Sequence, residues 1–164
     1  MPAQGLQMAK KSKPQDGPRI VAQNRRARHQ YLILEELICG VELQGTEVKS
    51  LREGKAEIAQ AFGLIKGGEL FLVGSSIPEY SHGTAHNHTP VRTRRLLARK
   101  SEINKWHKQA REKGITIVPL DMHFEGHLVK VKMGLARGKK LHDKRQAERD
   151  KDSKRQIRRA LGRG

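Results

Sequence analysis

Three kinds of residue in this chain could do chemistry: eight histidines, a single cysteine and a large excess of cations. His82, His86 and His88 share one loop with Asn87, and the last two histidines are two residues apart, a spacing that invites a metal ion. No cysteine or carboxylate lies between His82 and His88, and nothing identifies the supporting groups that a stable site needs. An ordinary polar loop, or one that contacts RNA, is the better reading, and no metal or other cofactor is expected. Cys39 ends an apolar run, where a structural thiol fits better than a nucleophile. Gly67-Gly68 lacks the Lys-Ser/Thr of a phosphate loop, and no GxSxG is present. Catalysis therefore has little support, and the chain reads as a binding protein.

The cations say more. Lys and Arg number 34 against 17 Asp and Glu, a net charge of +17 that suits a densely negative partner, of which nucleic acid is the commonest. Two clusters, Asn24-Arg25-Arg26-Ala27-Arg28-His29 and Arg92-Thr93-Arg94-Arg95, sit at element junctions where they can reach one surface. Their mixture of Arg with Asn, His and Thr suits phosphate contacts joined to sugar or base hydrogen bonds. The largest concentration is terminal. In 137–164, twelve of 28 residues are Lys or Arg and four are Asp or Glu. The larger apolar residues there are only Leu141, Ile157 and Leu161, too few to offset the entropy of ordering the segment by itself. With good helix formers and pairs such as Asp150/Lys154, it reads as a tail that is disordered when free and helical against a polyanion.

Elements that position these residues can be read in order. Residues 1–19 form a short disordered basic arm without the apolar core of a signal peptide, and no run is long enough to span a membrane. With one cysteine, a reducing cytoplasm is expected. Order begins near Ile20, and Asn24 is placed to cap a short turn. Strands are predicted over His29 to Cys39, Val41 to Gln44 and Thr46 to Arg52, with Gly45 as a bulge. Lys66-Gly67-Gly68-Glu69 between GLI and LFLV is the clearest hairpin signal. A polar loop follows, then a helical region from Arg94 to Lys113, one helix or two meeting at Lys100, with Ser101 as a second cap. Strands at Ile115 to Phe124 and Leu128 to Leu135 are joined by Glu125-Gly126-His127. In the last strand Val129, Val131 and Met133 alternate with Lys130 and Lys132, giving one core face and one face with two lysines. Six or seven short strands with glycine bends predict a mainly β fold, an OB-like closed antiparallel barrel with Greek-key connections and one to three short helices; a half-open sandwich is the alternative. The domain division is arm 1–19, barrel 20–136 and tail 137–164.

NRRARHQY, LQGTEVKSLREGKAEI, HNHTPVRTRRLLARKSEI and GLARGKKLHDKR, in this order and spacing, resemble the SmpB family of SsrA-binding proteins, the bacterial partners of transfer-messenger RNA. The resemblance runs over Ile20 to Arg145. It implies a barrel that binds the tRNA-like domain of transfer-messenger RNA and accompanies it to stalled ribosomes, where the nascent chain is tagged in trans-translation. The tail would become a helix in the vacant decoding centre and messenger channel. Elongation factor Tu is implied as an indirect partner through the aminoacylated RNA, the protein acting as a monomer.

Carried onto this sequence, the resemblance implies RNA contacts at Asn24, Arg26, Arg28, His29, Lys49, Arg92, Arg94, Arg95, Leu97, Lys130 and Lys132. In the tail it implies ribosome contacts at Gly138, Lys139, Lys140, His142, Asp143, Lys144 and Arg145, with Ile157 and Leu161 as apolar anchors one turn apart. His142 is the candidate to stack on a decoding-centre base. Two departures stand out: Ile38 occupies a position where many relatives carry Glu, and the distal tail has no aromatic residue. A structural ribosomal protein or general nucleic-acid binder is the competing reading, and a histidine-dependent metalloenzyme a third.

Overall fold

The computed structural model describes residues 19–83, 86–139, 149 and 151–159. Among the described residues seven strands form the sheet: β1 Arg19–Gln23, β2 Tyr31–Val41, β3 Phe62–Lys66, β4 Glu69–Val73, β5 Arg94–Leu97, β6 Ile115–Glu125 and β7 Leu128–Gly138. Three helices interrupt them: α1 Ala27–Gln30, α2 Gly45–Arg52 and α3 Lys100–Ala110. All pairings are antiparallel, and the order β6-β3-β4-β5-β2-β7 closes on itself through β6 and β7. The expected OB-like barrel is thus a six-stranded ring, with β1 added along the edge of β6. β3, β4 and β5 are neighbours in sequence and in space, and β5 comes back to lie beside the earlier β2, a Greek-key arrangement.

Local chemistry accounts for the predicted turns. Gly67 and Gly68, with φ of +61° and +76°, make the two-residue hairpin between β3 and β4. Gly126, at φ +60°, turns β6 into β7. Inside the ring, Cys39, Leu70, Leu72, Leu96, Met122, Val131, Met133 and Leu135 are buried, and α3 closes the core with Ile103 and Trp106. Burial pushes the Cys39 thiol up to about 12, with Glu102 adding to the shift, so it stays a protonated core residue. Ring closure between β3 and β6 rests on Gly63 opposite Ile117. A Cβ on Gly63 would lie 2.5 Å from Ile117 Cγ2, so the two strands approach only because that atom is missing.

Val41 to Gln44 is not a strand of its own: Val41 ends β2, and residues 42–44 belong to no strand or helix. Two further segments differ from the sequence expectation, and for one reason. Thr46 to Arg52 is helical, not a strand, with Gly45 opening the helix rather than forming a bulge. Its start is fixed by Glu47, whose Oε1 accepts the Gln44 N–H at 3.0 Å. The buried positions are Glu47, Ser50 and Leu51, so two of the three residues on its inward face are polar. Arg94 to Leu97 is a strand, not the start of the helix, and α3 begins only after Arg99, whose N–H is taken by Glu102, so Ser101 is not the cap. In β5 the inward residues are Arg94 and Leu96.

Arg94 and Glu47 meet in the interior. Both side chains are fully buried, and Arg94 Nε donates to Glu47 Oε2. Nη1 of Arg94 reaches Ser75 Oγ at 2.9 Å and the Arg92 carbonyl at 2.9 Å, and Nη2 donates to the Pro90 carbonyl at 3.0 Å. Arg92 Nη2 adds a bond to Glu47 Oε1 at 2.6 Å. Burial would push the Glu47 carboxyl up, but the Gln44 N–H and the two guanidiniums outweigh it and hold it below the usual carboxylate range. The expectation that Arg94 faces RNA is therefore corrected: it is an internal cation whose donors are used within the fold. Asn24 is corrected likewise. It is buried, its Nδ2 donates to the Pro119 carbonyl at 3.0 Å, and its N–H donates to Leu120 O at 2.8 Å, fastening the chain at the β6 bulge.

Two outcomes follow for stability. Gly63→Ala should lower the unfolding free energy by about 1–3 kcal/mol through overpacking, and the double variant with Ile117→Ala should lose less than the two single losses added together. Additive losses in denaturant titrations would separate the two positions. Glu47→Gln should cost about 3–5 kcal/mol, because it leaves a buried guanidinium uncompensated. Since the native carboxyl is held low, its contribution is complete above the unfolded value of about 4.3 and is lost as pH falls from there through the native value. Wild-type stability should consequently fall more steeply in acid than that of the Gln variant; parallel curves would refute the assignment.

Candidate nucleic-acid interface

Cross-strand registers put the remaining candidates on the outside of the ring. One row runs from Leu97 on β5 to Gly40 on β2, Lys130 on β7, His123 on β6 and Ile20 on β1. The next row contains Ile38, Lys132, Asp121 and Gln23. Directly opposed residues point to the same side of a sheet, so these form one surface. Leu97 is 43% exposed and Ile38 49%, large apolar side chains set next to two lysines. Gly40 makes that arrangement fit: a Cβ there would meet Leu97 Cβ at 3.3 Å. Arg95, two residues before Leu97 on the same outward set, lies 3.6 Å from both Glu42 and Glu69.

The lysines are paired. Lys130 Nζ lies 3.4 Å from Glu125 Oε2, and Lys132 Nζ lies 3.9 Å from Asp121 Oδ2. Between the two carboxylates is the buried ring of His123, with Nδ1 2.6 Å from Asp121 Oδ1 and Nε2 3.2 Å from Glu125 Oε1. The contact with His123 is the main reason the Glu125 carboxyl sits below its usual range, with Lys130 adding to it. These three residues were missed in the sequence. Their signal was present as polar residues at 121, 123 and 125, alternating with Met122 and Phe124 of the core.

At the far end of β2, Arg26, Arg28 and His29 are exposed around α1, and Arg28 Nη2 reaches Glu36 Oε1 at 2.5 Å. Here β7 also ends. Gly138 lies opposite Tyr31, the Lys139 N–H donates to Gln30 O at 3.0 Å, and Lys139 Nζ donates to Arg28 O at 3.1 Å. The root of the tail is thus fastened beside the first arginine motif. That motif and the Arg92–Arg95 cluster do not converge on one point; they bracket the 11-residue β2, which spans about 35 Å. Lys49 is exposed on α2 instead of on a strand, with Nζ 5.7 Å from the centre of the Tyr80 ring. Arg92 is partly exposed but committed to Glu47.

Within the histidine loop, Asn87 and His88 are tied into the scaffold, whereas His82 and His86 are exposed. His88 is buried, with Nε2 2.8 Å from the Ile77 carbonyl and Nδ1 2.9 Å from Thr46 Oγ1. Asn87 Oδ1 accepts from the Tyr80 and His88 N–H groups, and His82 packs edge-on to Tyr80. With both ring nitrogens of His88 engaged, the three histidines do not form a shared set of ligands. In the tail, residues 151–159 are helical and exposed, Ile157 to 58%. Lys140, His142, Asp143, Lys144, Arg145 and Leu161, like the arm 1–18, lie outside the described residues. No described helix is long and apolar enough to cross a membrane.

Comparison with known proteins converges on one family. The chain is 50% identical over 146 residues to an SsrA-binding protein of Parasynechococcus marenigrum (strain WH8102), covering 88% of each. To an SsrA-binding protein of Mycobacteroides abscessus it is 48% identical over 151 residues, 92% of this chain and 95% of that one. A solved chain described under "tmRNA-SmpB: a journey to the center of the bacterial ribosome" superposes with a TM-score of 0.62 at 45% identity, covering 73% of this chain and 84% of the other. The family model described as SmpB protein matches residues 21–163. With a match of that extent on a barrel of this topology, the chain belongs to the SmpB family.

Proposed function

We propose that this chain is an RNA-binding adaptor that holds the tRNA-like domain of transfer-messenger RNA and delivers it to stalled ribosomes for trans-translation. The observation that carries this reading is the outer face of β5, β2 and β7, where Leu97, Ile38, Lys130 and Lys132 form a rigid mixed surface. Likeness to SsrA-binding proteins over nearly the whole chain supports the same partner. Apolar side chains give ribose and base edges something to pack on, and the lysines offer ammonium groups to phosphates. Arg95 lies on the same face, while Arg26, Arg28 and His29 extend it to the root of the tail. The activity is binding, not catalysis.

The tail has a second task. Gly138 and Lys139 start it from the barrel, and Lys140, His142, Asp143, Lys144 and Arg145 engage the decoding centre. Ile157 and Leu161 anchor a helix in the messenger channel. The protein works in the cytoplasm as a monomer, meeting elongation factor Tu only through the aminoacylated RNA.

Competition at roughly physiological salt tests the first half, because weak counterion-driven binding is suppressed there. Labelled tRNA-like domain should resist excess ordinary tRNA and duplex DNA; equal competition by all three would favour a general nucleic-acid binder driven by the +17 charge. Reversing both charges with Lys130→Glu and Lys132→Glu should weaken the cognate RNA at least about tenfold without unfolding the barrel. Replacing Asp143, Lys144 and Arg145 by alanine should leave that affinity intact and stop peptide tagging in a reconstituted translation reaction. Loss of RNA binding in the tail variant would overturn the division of tasks.

A further inference from the structure

Side chains alternate along β3 and β4, and the row they turn outward is apolar. β3 sends Phe62, Leu64 and Lys66 out, and β4 sets Val73, Phe71 and Glu69 directly opposite them. Phe62 is 42% exposed and Leu64 46%. Two of the chain's three phenylalanines therefore sit on the outer face of one hairpin, at diagonal positions within reach of each other. This face is separate from that of β5, β2 and β7. Arg95, opposite Phe71, is held 3.6 Å from both Glu69 and Glu42, and that charged group stands between the two.

Cations flank the apolar row. His107 and Arg111 of α3 line a groove of about 280 Å³ together with Leu64 of β3. Lys100, Asn104, His107 and Arg111 recur at helical spacing, so they share this flank of α3. Lys100, Asn104 and Arg111 are exposed, and among the described residues Lys66, Lys100 and Arg111 have no carboxylate within 4 Å. The nearest acids in the sequence are used elsewhere: Glu102 accepts the Arg99 N–H, Glu112 lies 3.8 Å from Arg137 Nη2, and Glu69 faces Arg95.

This combination selects the partner. An apolar face alone would fit a protein or a second copy, but here the unpaired charge beside it is positive. Exposed rings next to free cations suit RNA with unstacked bases, because the rings take the bases while the guanidinium and ammonium groups take phosphates. A duplex keeps its bases stacked inside and could use only the cations.

We infer that the outer face of β3 and β4, with the adjoining flank of α3, is a second RNA surface that takes single-stranded RNA, stacking bases on Phe62 and Phe71 and holding phosphates at Lys100 and Arg111. It goes beyond the reading of β5, β2 and β7 and stands without it. An adaptor with two such faces holds one RNA while resting against another.

The test titrates the isotope-labelled full-length protein with single-stranded oligouridylate of about ten nucleotides, the span of one OB-like barrel, and follows backbone amides by NMR at roughly physiological salt. Resolving single amides separates this face from the cationic tail, which meets any polyanion. Shifts should appear at Phe62, Leu64 and Phe71 and along α3 from Lys100 to Arg111. Phe62→Leu with Phe71→Leu keeps the face apolar but removes the rings, and should weaken the binding read at these amides at least about fivefold. Lys100→Glu with Arg111→Glu should weaken it as well. Neither pair should change affinity for the tRNA-like domain by more than about twofold, so a failure of the first face and a failure of this one read differently. A matching loss there would merge the two faces and overturn the inference. So would shifts confined to the tail or to Leu97 and Lys130, or equal shifts with an RNA duplex, which would leave only a cationic patch. Resonances that broaden with protein concentration and ignore RNA would make the face a contact between copies and overturn it too. Should the leucine pair not fold, the α3 pair carries the test on an exposed helix flank, and unchanged affinity there counts equally against the inference.

Discussion

The buried pair of Glu47 and Arg94 is the constraint on which the outer face of β5 depends. Taking a guanidinium and a carboxylate out of water is costly, and the cost is offset only where both are saturated with hydrogen bonds. Here the acceptors come from α2, from Ser75 and from the Pro90 and Arg92 carbonyls, so the pair ties α2, β5 and the intervening loop into one unit. Side chains alternate along a strand, so fixing Arg94 inward fixes Arg95 and Leu97 outward. A slip of one residue would bury Leu97 and leave Glu47 without its buried guanidinium partner. The pair's value therefore lies less in net stabilisation than in register.

The same pair explains which parts of the fold could be read from the sequence. Glycine turns at Gly67-Gly68 and Gly126, the alternation of β7 and the closed barrel follow from local rules, and the structure has all of them. Two of the misread segments carry the two ends of the ion pair. Hydropathy places a glutamate, a serine and an arginine outside, but Glu47, Ser50 and Arg94 are inside, so the inward face of α2 and the inward row of β5 were invisible. Each charge is tolerable only because the other is present, and a pairing 47 residues apart leaves no periodic trace. Asn24 was misread similarly: its amide reads as an RNA contact until the bulge at Pro119 supplies a buried carbonyl.

A further consequence concerns the meeting of barrel and tail. Because β7 runs on to Gly138 opposite Tyr31, and Lys139 bonds to Gln30 and Arg28, the first tail residues share an anchorage with the exposed Arg26 to His29 turn. A ligand that draws on Arg28 acts on the same short turn that fixes the tail's starting direction. The rigid route between the two regions is β2, whose ends carry Tyr31 and Gly40. On the proposed reading, RNA seated against Leu97 and Lys130 at one end and Arg28 at the other spans β2, beside whose far end β7 launches the tail.

Charge is organised to match this division. Arg28, Arg95, Lys130 and Lys132 each have a carboxylate within 4 Å, so much of the barrel's positive charge is already partnered before any RNA arrives. Replacing a carboxylate by a phosphate gains little Coulomb energy by itself, and a face built this way discriminates by whether the phosphates fall where the ammonium groups are held. The tail is built on the opposite plan, with twelve cations against four acids. Such a segment gains from any polyanion and is suited to a channel lined with RNA. Net charge alone would make this chain an indiscriminate binder; on the proposed reading its distribution, compensated on the rigid barrel and in large excess on the tail, puts selectivity in the first and strength in the second.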